Sequence, residues 1–127
     1  VSGAGSILIY RRENNFWTFE QKIVAPDRKV NGNFGKTLFC IEDTIIIGDP
    51  LNATDQNDLN PLSDAGAVYL FTKNEEVWSF TQKVVPNIRN SGDKFGTSVD
   101  LKDNFMIIGG PGHDLDQDDA NPLSDAG

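Results

Sequence analysis

The stretch TIIIGDPLNATDQNDLNPLSDAGAVYLF, residues 44–71, decides the fold, because most of its pattern returns as FMIIGGPGHDLDQDDANPLSDAG, residues 105–127. Sliding the chain by 61 positions aligns residues 1–66 with residues 62–127 without a gap, and 25 of those 66 pairs are identical. Self-similarity at a fixed period of this length is the signature of a repeat architecture. The sequence therefore predicts two tandem units, residues 1–66 and residues 67–127.

Apolar and alternating runs indicate how each unit forms strands. SILIY (6–10) and AVYLF (67–71) are nearly all apolar, as expected for inner strands that are covered on both faces. VWSFTQKVV (77–85) alternates instead. This alternation predicts a half-exposed strand with Trp78 on one face and Lys83 on the other.

Two further runs complete the unit. TSVDL (97–101) and FMIIGG (105–110) predict strands that a tight turn at 102–104 joins. No segment has a sustained helical period. The predicted fold is therefore all-β: two tandem four-stranded antiparallel blades of a β-propeller, as a partial propeller or a fragment of a longer repeat array.

Composition argues against several classes of function. The formal net charge of −8 is unfavourable for a nucleic-acid partner, because phosphate recognition needs a basic surface. No apolar run approaches the roughly 18–20 residues of a membrane span. The chain opens VSGAGSILIY, without a charged leader region or Met, which predicts a mature product or an excised piece. The single cysteine, Cys40, excludes an internal disulfide, and its expected role is that of a small core residue.

Four linked motifs resemble FG-GAP repeats, which are the blades of integrin-α-like seven-bladed propellers. They are Phe-Gly at 95–96, Ile-Ile-Gly-Gly-Pro at 107–111, Ala-Gly-Ala-Val-Tyr-Leu-Phe at 65–71 and a Trp-x-x-x-Gln-Lys strand. The resemblance covers essentially the whole chain. The positions that carry it are Trp17, Phe34, Gly35, Gly48 and Pro50 in the first unit and Trp78, Phe95, Gly96, Gly109 and Pro111 in the second.

The chain departs from the integrin pattern at the turn after the Phe-Gly strand. Integrin-type repeats carry a calcium loop of the form Asp-x-Asp-x-Asp-Gly there. This chain has only Glu-Asp-Thr at 42–44 and Asp-Asn-Phe at 103–105. The closer match is the bacterial-type variant, which has a short turn at this position and a longer acidic loop after Gly-x-Pro.

Packing explains the motif residues. Phe is expected to fill the space between neighbouring blades, Gly to allow close backbone approach, and Pro to end the strand where the loop leaves. Trp17 and Trp78 are expected in the core, because large aromatic side chains are mostly buried.

The resemblance implies a non-enzymatic interaction module of an extracellular or cell-surface protein, which binds protein or glycan partners in adhesion. A propeller needs about four to eight blades, so further repeat units or other copies of the chain are expected as partners. Two alternatives stay open. One is a structural subunit or spacer that self-assembles through blade and strand pairing, and the other is an accessory propeller of a secreted hydrolase.

The acidic loop is the candidate metal site. Asp114, Asp116 and Asp118 alternate in the second unit, and alternating carboxylates in a turning loop can supply the oxygens that Ca²⁺ prefers. The alternative is a solvated loop in which Asp, Asn and Pro form turns and Asp64 and Asp125 brace the turn into the next strand. The full candidate set is Asp114, Asp116, Asp118, Asp119 and Asp125, with the first-unit equivalents Asp55, Asn57, Asp58 and Asp64.

No catalytic residue is predicted. His113 is the only histidine, no nucleophile motif accompanies it, and a surface role is expected. A paired-carboxylate mechanism would depend on spacing in three dimensions. Asn52-Ala53-Thr54 is an N-glycosylation sequon, and it is expected on an exposed loop.

Overall fold

The computed structural model describes residues 1–118 and 120–123, which form eight β-strands and no helix. Within these residues no helix is long and apolar enough to cross a membrane. The strands are β1 (Ile7–Glu13), β2 (Phe16–Ile23), β3 (Thr37–Ile41), β4 (Thr44–Asp49), β5 (Ala67–Asn74), β6 (Val77–Val84), β7 (Ser98–Lys102) and β8 (Phe105–Gly109).

The described strands pair antiparallel and form three sheets. β3, β4, β5 and β6 form a four-stranded sheet in that order, while β1–β2 and β7–β8 are two-stranded. The 61-residue offset relates β1–β2 to β5–β6 and β3–β4 to β7–β8. The all-β fold is thus confirmed. The complete four-stranded sheet draws on both units, and the division between residues 66 and 67 stays a prediction about the sequence repeat.

The centre of the four-stranded sheet is the core of the molecule. β4 supplies Ile46 and Ile47, both 0% exposed, and β5 supplies Val68 and Tyr69, 0% and 1% exposed. β4 and β5 lie between β3 and β6, so their backbone groups are paired on both sides. The apolar run at 67–71 is therefore an inner strand, as predicted.

The corresponding run in β1 is not covered in the same way. Leu8 and Tyr10 are 53% and 49% exposed, whereas Tyr69 and Phe71, at the same places in β5, are 1% and 5% exposed. Within the described residues β1 pairs only with β2. The prediction that residues 6–10 are covered on both faces is therefore wrong: Phe34 packs on the face of β5 that carries Tyr69 and Phe71, whereas no described residues cover Leu8 and Tyr10 to the same extent.

A β-bulge changes which face of β6 points to the core. The pairing with β5 shifts between Phe80 and Gln82, so Thr81 is an extra residue in β6. Such a bulge reverses the alternation of side chains beyond it. Lys83 is consequently 8% exposed and lies on the same face as Trp78, contrary to the predicted alternation.

The Phe-Gly motif has a packing role, as predicted. Phe34 is 3% exposed and packs edge to face on Tyr69 and Phe71 of β5, with ring centroids 5.3 and 6.3 Å apart. A parallel bridge joins Gly66 to Phe95. A Cβ on Gly66 would lie 2.2 Å from the Phe95 carbonyl oxygen, and the φ of Gly66 is +89°, so both contact and backbone conformation require glycine.

The two tryptophans differ in burial. Trp78 is 7% exposed, as predicted for a core residue, but Trp17 is 68% exposed, so the core prediction is wrong for Trp17. The β1–β2 hairpin lies against Trp78, where Gln21 Nε2 donates to the Trp78 carbonyl oxygen (2.8 Å) and Gln21 Oε1 accepts from the Trp78 N–H (3.0 Å). No hairpin of the described residues contacts Trp17 in this way.

Cys40 is exposed, so its predicted core role is also wrong. It lies on β3, an edge strand of the four-stranded sheet, where no further strand pairs with it in the described part of the chain. Partial burial still raises the pKa of the thiol above its ordinary value. The reactive thiolate is therefore disfavoured at neutral pH.

Candidate functional site

The most deeply buried ion pair of the described residues lies at the end of β6. Lys83 of β6 and Asp27, in the turn after β2, form an ion pair with Nζ 2.6 Å from Oδ2. Their side chains are 6% and 9% exposed, so the pair is largely removed from water. Charges in such a place persist only when they are paired and hydrogen-bonded.

Hydroxyl groups complete the surroundings of this ion pair. The Tyr69 hydroxyl donates to Asp27 Oδ1 (2.7 Å), and Lys83 Nζ donates to Thr54 Oγ1 (2.9 Å). Burial by itself would raise the pKa of Asp27, but the hydrogen bonds from Lys83 and Tyr69 outweigh it, and the pKa is lowered. Burial, reinforced by the Asp27 carboxylate, raises the pKa of Tyr69, so the phenol stays protonated and acts as a donor.

A second buried carboxylate, Asp49, is linked to this pair through Asn52. Asp49 Oδ1 accepts from the Asn33 N–H (2.7 Å), and Oδ2 accepts from Asn52 Nδ2 (3.3 Å). Asn52 Nδ2 also donates to the Tyr69 hydroxyl oxygen (2.9 Å). Burial raises the pKa of Asp49. The name polar network is used below for Asp27, Asp49, Asn52, Thr54, Tyr69 and Lys83.

The place of Asn52 in the polar network overturns the expected exposure of the glycosylation sequon. Asn52 is 1% exposed, and the amide nitrogen to which a glycan would be attached donates to Asp49 and Tyr69. The prediction that the sequon lies on an exposed loop is therefore wrong. The side chain holds the β4–β5 connection against the sheet instead.

The polar network offers little reactivity, because its groups satisfy one another. The Lys83 ammonium is neutralised by Asp27, and the raised pKa of Tyr69 makes its hydroxyl a poor nucleophile. Nucleophilic catalysis needs a hydroxyl, thiol or amine beside a base that can take its proton. What the network does is tie the turn after β2 and the β4–β5 connection to β6.

A polar cleft of about 490 Å³ borders the polar network, and Lys83 lines both. Arg89 lies in its wall and is held in place, because its guanidinium donates to the carbonyl oxygens of Ala53 (2.6 Å) and Asn60 (3.1 Å). Four side-chain amides also line the cleft, which is called the amide cleft below: Gln56, Asn60, Gln82 and Asn87.

An aromatic side chain lies beside the amide cleft. Phe80 is 45% exposed and lines, with Pro26, a hollow of about 280 Å³ that shares Gln56 and Lys83 with the cleft. Side-chain amides both donate and accept hydrogen bonds, and an exposed ring offers an apolar face. Such a surface can bind a polar, uncharged group.

One aspartate braces the turn of each acidic loop. In the first unit, Asp55 Oδ1 accepts from the N–H groups of Asn57 (2.8 Å) and Leu59 (3.0 Å), and Oδ2 accepts from Asn60 Nδ2 (2.6 Å). The hydrogen bonds from Leu59 and Asn60 lower the pKa of Asp55.

The second loop repeats this turn around Asp116. Its Oδ1 accepts from the N–H groups of Asp118 and Ala120, both at 3.1 Å, and its Oδ2 accepts from Asn121 Nδ2 (2.5 Å). The hydrogen bond from Asn121 is the main cause of a lowered pKa at Asp116. Turn formation, the alternative to metal binding, thus accounts for this aspartate.

The described carboxylates do not assemble into a calcium site. Across residues 1–118 and 120–123, no three His, Cys, Asp or Glu side chains are placed to share a metal ion. Both oxygens of Asp116 serve its own turn. In the first unit Asp58 accepts from the Thr54 hydroxyl (2.7 Å) and pairs with Lys29 (3.2 Å).

The other predicted calcium ligands have varied positions. The backbone carbonyl oxygen of Asp64 accepts from the N–H of Lys94 in the β6–β7 connection (2.9 Å), and that of Asp114 accepts from the Leu123 N–H within the second loop (2.7 Å). Asp119 and Asp125 lie outside the described residues. A calcium site in the second loop therefore stays a prediction that the described side chains do not support.

The second unit also buries a carboxylate, but it comes from a different position in the repeat. The residue 61 positions after Asp49 is Gly110, and the residue 61 positions after Gly32 is Asp93, which is 1% exposed. Gly32 is the counterpart of Asp93, and a Cβ on Gly32 would lie 3.5 Å from Asp49 Oδ2. A side chain at position 32 or 93 therefore starts close to the place that the Asp49 carboxylate occupies, so each unit has one carboxylate in this region. Asp93 Oδ2 accepts from the Asn90 N–H (2.7 Å).

His113 belongs to this second arrangement. Its Nδ1 lies 3.3 Å from Asp93 Oδ2, and Asn52, its counterpart in the first unit, donates to Asp49 over the same distance. The expected surface role of His113 is therefore wrong, since it contacts a carboxylate that is almost fully buried.

Sequence reasoning missed Asp27, Lys83 and Asp93 as buried polar residues. One signal was available in the sequence. The first unit has Gly32 and Asp49, and the second has Asp93 and Gly110 at the same two positions, so each unit keeps one aspartate and one glycine. For Lys83 no signal existed, because its repeat counterpart Lys22 is also a lysine that follows a bulge, yet Lys22 is exposed and only Lys83 pairs with a buried aspartate.

The comparisons with known proteins agree with the fold. The profile of the FG-GAP repeat family matches residues 17–71 and 78–122, which is most of the chain. Each matched segment contains one Phe-Gly pair and one Gly-x-Pro triplet. No curated protein and no solved structure matches the chain. The chain therefore belongs to the FG-GAP repeat family.

Proposed function

We propose that this chain is a non-enzymatic β-propeller repeat module of an extracellular or cell-surface protein, and that it binds a protein or glycan ligand in adhesion. The observation that carries the proposal is the amide cleft beside the exposed ring of Phe80. FG-GAP repeats are generally binding modules without catalytic activity, which supports the same conclusion.

The chemistry of the amide cleft favours an uncharged polar ligand. The two cations in its wall already have partners, Lys83 in Asp27 and Arg89 in two backbone carbonyl groups. Gln56 and Asn87 present amides that match the hydroxyl groups of a sugar or the backbone groups of a peptide. Phe80 adds an apolar surface against which a sugar ring or an aliphatic side chain can pack.

Two parts of the proposal come from the sequence alone. The extracellular or cell-surface location follows from the resemblance to integrin-like propellers. Calcium assistance follows only from the spacing of carboxylates in the second acidic loop.

Binding of neutral oligosaccharides and peptide libraries to the immobilised chain tests the proposal. The informative variant is Gln56→Ala combined with Asn87→Ala, because both side chains line the amide cleft. The matched control is Gln117→Ala, which changes the exposed counterpart of Gln56 in the second unit. The amide cleft is supported if a ligand binds the double variant at least about tenfold more weakly than the parent and binds the control as well as the parent. A tenfold change in Kd corresponds to about 1.4 kcal/mol of binding free energy. Ligands that bind all three proteins equally, or no ligand at all, contradict it.

A further inference from the structure

We propose that a second copy of this chain binds head to tail, so that its β1–β2 hairpin completes the sheet that β7–β8 begins. This assembly goes beyond ligand binding, and it shares one residue, Gln82, with the amide cleft. The basis is that the same joint already exists once inside the chain, between β3–β4 and β5–β6.

The internal joint supplies the register. β4 pairs with β5 antiparallel, with Ile46 opposite Leu70 and Ile47 opposite Tyr69. The 61-residue offset maps β4 onto β8 and β5 onto β1. The joint between two copies therefore places Ile107 opposite Ile9.

The side chains at this edge lack the cover that their counterparts have. Phe105 and Ile107 of β8 are 75% and 70% exposed, whereas Ile46, the counterpart of Ile107, is 0% exposed. On β1, Leu8 and Tyr10 are about half exposed. Exposed apolar strand edges of this kind tend to pair with another chain.

A cavity marks where the incoming side chain fits. In the first unit Tyr69 fills the space beside Phe34 and Asn52. In the second unit the equivalent space is a cavity of about 320 Å³. It is lined by the repeat counterparts of Ala25, Gly32, Phe34, Ile47, Asp49 and Asn52, which are Pro86, Asp93, Phe95, Ile108, Gly110 and His113.

The polarity of the cavity fits Leu8 of β1 better than it would fit a tyrosine such as Tyr69 of β5. Tyr69 needs the acceptor Asp27, but the counterpart of Asp27 in the second unit is Ile88. The residue of β1 at the Tyr69 position is Leu8, which has no polar group to satisfy. A second copy thus offers a side chain whose polarity fits the altered cavity.

The outer strands show the same complementarity. Inside the chain, Gln21 of β2 bonds the backbone of Trp78 in β6. The offset predicts that Gln82 of one copy bonds the backbone of Trp17 in the next. Gln82 and Trp17 are both exposed in the single chain, so the proposed joint gives each of them a partner.

The joint is heterologous, since β7–β8 of one copy meets β1–β2 of the next. Repetition of such a contact produces either closed rings or open chains. Each copy contributes two repeat units, so a ring of about four to eight blades would contain about two to four copies.

Disulfide cross-linking tests the register in a Cys40→Ser background. One preparation carries Ile107→Cys, a second carries Ile9→Cys, and the two are mixed and oxidised. Directly opposed residues have Cα atoms about 4.5–5.5 Å apart, within the range of a disulfide. The matched control pairs Ile107→Cys with Arg11→Cys, two positions off register, at about 7–8 Å. At least about tenfold more cross-linked heterodimer with Ile9→Cys supports the register, and equal yields or none overturn it.

Sedimentation velocity tests the assembly itself. Ile107→Lys is expected to convert oligomers to monomers while the chain stays folded, because that side chain makes little contact within the chain. Leu59→Lys, which charges an equally exposed loop residue outside the proposed joint, is expected to leave oligomers intact. Association should also shift the emission of Trp17 to the blue, and Trp17→Phe should remove that shift. A chain that stays monomeric at every concentration, or oligomers that persist in Ile107→Lys, would overturn the proposal.

Discussion

Replacement of Lys83 by Met is the sharpest test of how the polar network stabilises the fold. The change removes Nζ contacts to Asp27 (2.6 Å) and Thr54 (2.9 Å) and leaves the carboxylate of Asp27, only 9% exposed, without its counterion. Breaking a buried ion pair from one side costs about 3–5 kcal/mol. Asp27 keeps the hydrogen bond from Tyr69, so the expected loss in the free energy of unfolding is about 3 kcal/mol.

Urea unfolding followed by tryptophan fluorescence, at a fixed low protein concentration, measures this loss. The matched control is Lys22→Met, the counterpart on β2, which is exposed and should change stability by less than about 0.5 kcal/mol. The double variant Lys83→Met with Asp27→Ile removes both charges and introduces the residue type that Ile88 provides in the second unit. It should recover only about 1 kcal/mol of the loss, because no unpaired charge remains but the buried Tyr69 hydroxyl loses its acceptor.

The pH dependence gives a second readout of the same pair. The pKa of Asp27 is lowered in the folded chain, so its stabilising effect is present above the ordinary pKa of about 3.9 and is lost as pH falls through the folded value. The difference between the parent and Lys83→Met should therefore shrink below about pH 4. A loss below about 1 kcal/mol at neutral pH, or a loss equal to that of Lys22→Met, would refute the reasoning.

Three further predictions concern other parts of the fold. Phe34→Ala should lower the free energy of unfolding by about 3–5 kcal/mol in thermal melts, while Phe16→Ala, at a ring that is 76% exposed, should change it by less than about 0.5 kcal/mol. Asp49→Gly should cost about 2 kcal/mol, and adding Gly32→Asp should restore at least half of that in the same assay; no restoration would contradict the exchange of carboxylates between the units. Asp116→Asn keeps an oxygen for the N–H groups of Asp118 and Ala120 but loses the acceptor for Asn121, so stability should fall by no more than about 1 kcal/mol. Calcium calorimetry on parent and variant should show no difference; heat that only the parent produces would establish a calcium site.

Much of the fold could be predicted from the sequence, because the information is local or periodic. The 61-residue repeat, the apolar runs and the Phe-Gly and Gly-x-Pro motifs predict antiparallel strands in FG-GAP units, and the family profile confirms them. Gly66 illustrates why. A backbone at φ +89° against Phe95 tolerates only glycine, so the requirement is visible in the letters themselves.

The candidate site was much less predictable. Lys83 and its counterpart Lys22 occupy the same place in the same motif, yet one is buried and the other exposed. Only the pairing of Lys83 with Asp27, 56 residues away, explains the difference. The amide cleft likewise collects residues from β6, the turn after it and the β4–β5 connection.

The sequence by itself determined the repeat, the strand identities and the family, because side-chain period and backbone conformation are properties of short segments. The tertiary structure alone decided which copy of each repeated residue is buried. Trp17 and Trp78 are the same letter in the same motif, but only Trp78 has the β1–β2 hairpin beside it. Burial depends on which elements lie beside a strand. β4, in the stretch quoted at the start, pairs with β5, whereas its counterpart β8 pairs with no second strand besides β7 among the described residues.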